Sequence, residues 1–162
     1  MYERMVFVFM AMNNYFDFAQ NDYEYLQNSY KCGLIANAMA ASAQNICEKY
    51  IKGVIDQFYE PGSQEDCDEL ERIMRTHSLN RLMQFLKNNM QINLTTDTNI
   101  LLRQIDGYYF STRYPGDNSI EVDKTDIELC IKAATACRNE ILEIREHFLQ
   151  NVMEPDFEND ER

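Results

Sequence analysis

From Ile127 onward the apolar positions alternate in steps of three and four: Ile127, Cys130, Ala134, Cys137, Ile141, Ile144 and Phe148. That spacing places them on one narrow stripe of a long helix lying lengthwise in a bundle. Asp123 or Thr125 opens this helix and Pro155 closes it. Weaker versions of the same period occur earlier. Residues 12–29 carry Tyr15, Phe18, Ala19, Tyr23 and Leu26, with Tyr30 just beyond. Residues 34–58 carry Leu34, Ala38, Ala41, Ile46, Tyr50, Val54 and Phe58. Small residues between Ala36 and Ala43 let a neighbouring helix approach closely, and Pro61-Gly62 ends the pair. Ser63 starts a third segment whose first turns hold Glu65, Asp66, Asp68 and Glu69, where the helix dipole favours negative charge. Ser78 suits the cap of a short helix over 79–88, and Asp97 or Thr98 that of another over 98–110 with Ile100, Leu101, Ile105 and Tyr109. The pattern predicts an all-α protein, an antiparallel four- to five-helix bundle. A single domain spans residues 1–153, and an acidic tail, 154–162, is expected to be disordered.

Composition narrows this without redirecting it. With 5 Gly and 3 Pro in 162 residues, the turns of a β-sandwich cannot be built, and 45% hydrophobic residues suffice for a core. Fifteen Lys and Arg against 27 Asp and Glu give a net charge of −12, which disfavours duplex DNA as a ligand while leaving room for a local basic patch. Five cysteines are an odd number and show no CxxC spacing, so neither a disulfide scaffold nor a tetracysteine zinc site is expected. Cys32, Cys47, Cys130 and Cys137 sit among small and apolar residues, as reduced core thiols do, which points to the cytoplasm. The apolar run at residues 5–12 is too short to span a bilayer and lacks a cleavage site, so no membrane segment is expected. The aromatic, apolar stretch from Met5 to Phe18, together with the small residues 36–43, offers the seam of a homodimer. The tyrosines of the first helix (Tyr15, Tyr23, Tyr25, Tyr30) read as core and seam rather than as a base-stacking platform, since no Arg or Lys lies between Tyr15 and Tyr30. No metal and no cofactor is implied.

Residues 111–118 are the one connector with chemistry beyond turn formation. Pro115-Gly116 and Asp117-Asn118 are ordinary turn residues, but no turn requires Arg113-Tyr114. A cation and a phenol at a helix end hold a phosphate or carboxylate, or pin the loop to the bundle. His77, near a predicted helix junction, suits either a ligand contact or a hydrogen bond that fixes the turn. Glu48, Lys49 and Lys52 form either a solvated face or a partner for the Arg113 loop.

Three segments, in order, resemble the HEPN family, the "higher eukaryotes and prokaryotes nucleotide-binding" domain. Residues 43–52 are similar to its second-helix pattern, a Glu48-Lys49 pair followed by Lys52 one turn on. Thr76-His77-Ser78-Leu79 resembles its Thr-His-Asp-Leu motif with Ser in place of Asp, and Arg113-Tyr114-Pro115 resembles its Arg-Tyr-Pro signature. The resemblance covers roughly residues 12–153. It implies a bundle of about five helices, often a homodimer, often encoded beside or fused to a nucleotidyltransferase. Some branches are metal-independent RNases of toxin–antitoxin and phage-defence systems, marked by an Arg and a His with four to six residues between them. There the His moves protons and the Arg stabilises charge on the scissile phosphate. Late in the chain Arg138-Asn139 starts such a motif, but Glu143 and Ile144 fall in the His window and His147 lies beyond it. Only Arg72 and His77 have the required spacing, and they are the candidate catalytic pair.

The preferred reading is therefore a non-enzymatic, dimeric binding or interaction module. It binds a nucleotide through Arg113, Tyr114, His77, Glu48, Lys49 and Lys52, or acts beside a nucleotidyltransferase partner. The alternative is a metal-independent RNA endonuclease using Arg72 and His77. A third is an acidic, antitoxin-like protein that masks a basic partner.

Overall fold

The structure, a computed structural model, describes residues 14–153. It holds α1 (Tyr15–Lys31), α2 (Asn37–Phe58), α3 (Gln64–Met74), α4 (Leu79–Asn89), α5 (Thr96–Ile105), the single turn α6 (Tyr108–Ser111) and α7 (Lys124–Met153), with no strand among the described residues. Short polar side chains satisfy the orphan amides at the helix starts. Asn14 accepts from Asp17 N at 3.0 Å, and Ser63 accepts from Asp66 N at 3.1 Å. Ser78 accepts from Arg81 N at 3.3 Å, and Asp123 and Asp126 exchange backbone-to-carboxylate bonds of 3.0 Å each. The cap of α5 is Thr95 rather than Asp97 or Thr98: its hydroxyl accepts from Thr98 N and bonds Glu140 on α7 at 2.9 Å, which fixes where the helix begins.

α2 is the central rod, packed against α1 and α7 along one side and against α4, α5 and α6 on the other. Its length from Met39 to Ile55 is almost continuously buried. Gly53 is needed there, since a Cβ would stand 2.9 Å from the Phe16 ring of α1. The predicted stripe of α7 is buried from Ile127 through Cys130, Ala134 and Cys137 to Ile141, while Ile144 and Phe148 are half-buried, Phe148 stacking on Phe58 at 4.9 Å.

Several expectations change. The helix over 98–110 is two pieces, because Gly107 adopts a left-handed φ of +105°. Its neighbour Asp106 caps α4 instead, accepting from Leu79 N at 2.9 Å, Asn80 N at 3.1 Å and Ser78 Oγ at 3.1 Å. Cys32 is exposed, not a core thiol, because α1 ends at Lys31 and Cys32 lies in the turn that follows. Leu34 is exposed because α2 begins only at Asn37, and Ala38, in the first turn of α2, is exposed as well. Ile100 and Tyr25 are exposed. Ala40, Ala41 and Ala43 are buried within the chain's own core, so they offer no seam to a second copy. Residues 5–12 and the acidic tail lie outside the described residues. No described helix is long and apolar enough to cross a membrane.

Candidate functional site

The site grows out of one face of α2. Gln44, Glu48 and Lys52 are spaced four apart, so they stack along the same side of the helix, and all three are buried. Gln44 spends its whole amide on backbone and neighbour. Its Nε2 donates to His77 O at 2.5 Å and to Glu48 Oε1 at 3.4 Å, and its Oε1 accepts from Gly107 N at 3.1 Å and Tyr109 N at 2.7 Å. One side chain thereby ties the α3–α4 junction to the start of α6. Lys52 Nζ donates to Thr76 O at 2.7 Å and lies 3.6 Å from Glu48 Oε2. Burial pulls the Lys52 ammonium below its ordinary pKa, and Glu48 partly restores it.

Glu48 Oε2 also meets His77 Nδ1 at 3.0 Å, and no hydrogen bond engages Nε2 among the described residues. The imidazole lies flat on the Tyr109 ring, with centroids 4.1 Å apart and planes 9° apart, and Phe110 meets its edge at 5.9 Å. The Arg113 guanidinium covers the Tyr109 ring 4.5 Å from its centroid and approaches the Tyr114 ring at 5.7 Å. Arg113 is exposed, and its guanidinium makes no hydrogen bond or ion pair with the described residues. Phe110 and Tyr114, 55% and 54% exposed, flank it. The result runs from a fully buried carboxylate through an imidazole and a phenol ring to a guanidinium in solvent.

Asn37, at the start of α2, holds the segment after α6. It donates to Ile120 O at 2.8 Å and Thr112 O at 3.4 Å, and accepts from Val122 N at 2.9 Å. A cavity of about 420 Å³ opens beside this anchor, lined among others by Asn37, Arg113, Tyr114 and Ile120. A guanidinium with its donors unspent at the rim of such a space suits an anionic group.

The HEPN domain model matches residues 12–145 of the sequence. The chain belongs to the HEPN family. No curated protein and no solved structure matches it. Of the residues singled out from the sequence of this HEPN domain, Lys52 and His77 both meet Glu48, Arg113 joins them through the Tyr109 ring, and Tyr114 lies beside Arg113 and Phe110. Lys49 does not join: its ammonium is paired with Asp22 on α1. Arg72 stands apart as well. It donates to Asp68 O at 3.2 Å and lines a cavity with Arg81 and Asn88, sharing no contact with His77. Gln44, Tyr109 and Asn37 were missed as site residues. A Gln four residues before a buried Glu, and an aromatic pair four residues before Arg113-Tyr114, are the signals that would have found the first two.

Proposed function

We propose that this HEPN domain is a non-enzymatic, cytoplasmic binding module that holds the phosphate of a nucleotide between His77 and Arg113, acts as a dimer, and works beside a nucleotidyltransferase partner. One observation carries the reading: two nitrogen groups, His77 Nε2 and the Arg113 guanidinium, flank the Tyr109 ring with no protein partner, while Glu48 fixes the other imidazole nitrogen. With Nδ1 directed at a carboxylate, protonation makes Nε2 a second donor beside a permanent cation. Exposed Phe110 and Tyr114 offer faces for a base. HEPN domains commonly dimerise, and a dimer doubles such a site.

The test is calorimetric titration with ATP and GTP, alongside light scattering for mass. Arg113→Ala should weaken binding by about 1.5–3 kcal/mol, the scale of a lost hydrogen bond to a charged group. His77→Ala should weaken it less.

A second reading, the metal-independent RNA endonuclease of toxin or phage-defence type, draws on the same carboxylate–imidazole pair, since a buried Glu orienting Nδ1 leaves Nε2 for proton transfer. It would need Arg72, or another cation, brought to the scissile phosphate. RNA cleavage that persists in EDTA and vanishes in His77→Ala would replace the first reading with this one.

A further inference from the structure

Charge is unevenly divided along the chain. Residues 72–105 carry five cations, Arg72, Arg75, Arg81, Lys87 and Arg103, against the single acid Asp97, whereas the rest of the sequence carries ten against 26. The stretch folds into α4, α5 and their flanks, so the positive charge is gathered on one face of an acidic protein. Two cavities run along either side of α4. The larger, about 440 Å³, lies between α4 and α5 and includes Lys87 and Arg103; the smaller, about 200 Å³, lies towards α3 and includes Arg72 and Arg81. Gln84 borders both, which makes them one surface with α4 as its ridge. Neither Arg81, Lys87 nor Arg103 forms an ion pair among the described residues, and the only carboxylate in either lining, Glu69, accepts from Asn89.

Charge complementarity calls for an anionic occupant, and two features decide its class. No exposed aromatic ring lines either cavity, Phe85 being 3% exposed, so bases of a nucleic-acid strand have nothing to stack on. The positive face is also bounded: a long polyanion would run off it onto surface that is strongly acidic, whereas a short segment would not. Side-chain amides along the ridge donate to and accept from a peptide backbone, and the larger cavity adds Ile92 and the exposed Ile100 as an apolar floor. We propose that the α4 face docks a short acidic polypeptide segment of another protein, with Arg72 and Arg81 on one side and Lys87 and Arg103 on the other taking its carboxylates. This surface is separate from the His77–Arg113 site and does not depend on it.

The experiment is fluorescence anisotropy with a labelled short peptide of mixed Glu and Leu, and with a uridine oligonucleotide of the same length. The peptide should bind, more weakly as salt rises, because the pairs are solvent-exposed. The double substitution Arg81→Glu and Lys87→Glu should weaken it about tenfold or more, with Arg103→Glu acting in the same direction and thermal melting nearly unchanged. Absence of peptide binding, equal binding by the charge-reversed protein, or tighter binding of the oligonucleotide would each overturn the proposal.

Discussion

Two polar clusters lie against α2, and they end differently. On the side facing α1 and α7, Gln20 Oε1 accepts from Tyr50 OH at 2.9 Å and from Arg138 Nε at 2.7 Å. The same guanidinium covers the Tyr23 ring at 5.2 Å, and Tyr23 OH bonds Thr135 at 2.9 Å. That network is used up in holding three helices together. Arg138, the residue with which a late Arg–His motif would begin, is spent there. On the opposite side, Gln44, Glu48 and Lys52 are more deeply buried than Gln20 or Arg138, but their chain of contacts ends at a half-exposed imidazole and a solvated guanidinium. Buried polar groups are common to both clusters and say little about function. What separates them is that the Arg138 guanidinium is hydrogen-bonded into the fold, whereas the Arg113 guanidinium has no hydrogen-bond partner among the described residues.

The largest effect should come from Glu48→Ala. Removing the carboxylate leaves the buried Lys52 ammonium with only Thr76 O and releases His77, and breaking a buried pair in this way costs about 3–5 kcal/mol. Tyr50→Phe, in the closed cluster, removes one hydrogen bond and should cost about 1 kcal/mol. Urea unfolding of both variants measures the difference; equal losses would erase the distinction between the clusters.

Gln44→Leu should come next, at about 2 kcal/mol, because it leaves the part-buried amide of Tyr109, the amide of Gly107 and the carbonyl of His77 without their partner. A stability loss alone would be merely structural. The specific readout is the His77 ring-proton resonances, which lie in the ring current of Tyr109 and should move as the stack loosens. An unchanged NMR position would show that Gln44 does not set the stack.

Alkaline pH probes the closed cluster. Burial pushes the Tyr50 phenol from 10.0 up to about 12, with Arg138 opposing, and burial likewise takes the Cys130 thiol from 9.0 to about 12. Both groups are raised in the folded state, so their contribution is complete below the unfolded values and is lost as pH climbs through the folded ones. Lys52 acts with the opposite sign: its folded pKa is lowered, so the unfolded chain binds more protons and stability rises with pH until 10.5 is passed. Above that, stability should fall towards pH 12. Tyr50→Phe should flatten the fall, seen as a shallower decline in the urea midpoint.

The long elements were legible because their period was long. The α7 stripe, the α2 rod and the Ser63 and Ser78 caps follow from spacing and cap chemistry in the sequence. What failed was local competition. Asp106 left its own helix to cap α4, and Gly107 took the left-handed turn that this demands, so a run of apolar residues through Tyr109 could not remain one helix. The motif residues were legible as types but not as contacts: Lys49 and Lys52 look equivalent in sequence, yet a difference of three residues sends one to Asp22 and the other beneath His77. Arg72 and His77 have the right separation in sequence but are divided by the end of α3, which turns Arg72 towards the α4 groove.

The smallest stability effect should belong to Arg113→Ala. The guanidinium lies over the Tyr109 ring and near the Tyr114 ring with no hydrogen bond to the described residues, so the fold loses only exposed cation–π contacts, about 0.5–1 kcal/mol. Arg138→Ala removes the same residue type from the closed cluster, where Gln20 loses the charged one of its two donors and the Tyr23 ring loses its cation, and should cost about 1.5–3 kcal/mol. If thermal melting ranks the two arginines in that order while nucleotide titration ranks them in reverse, stability and binding are carried by opposite sides of α2. A larger melting loss for Arg113→Ala than for Arg138→Ala would mean that Arg113 serves to pin the loop after α6, and the open end of the site would then be part of the scaffold.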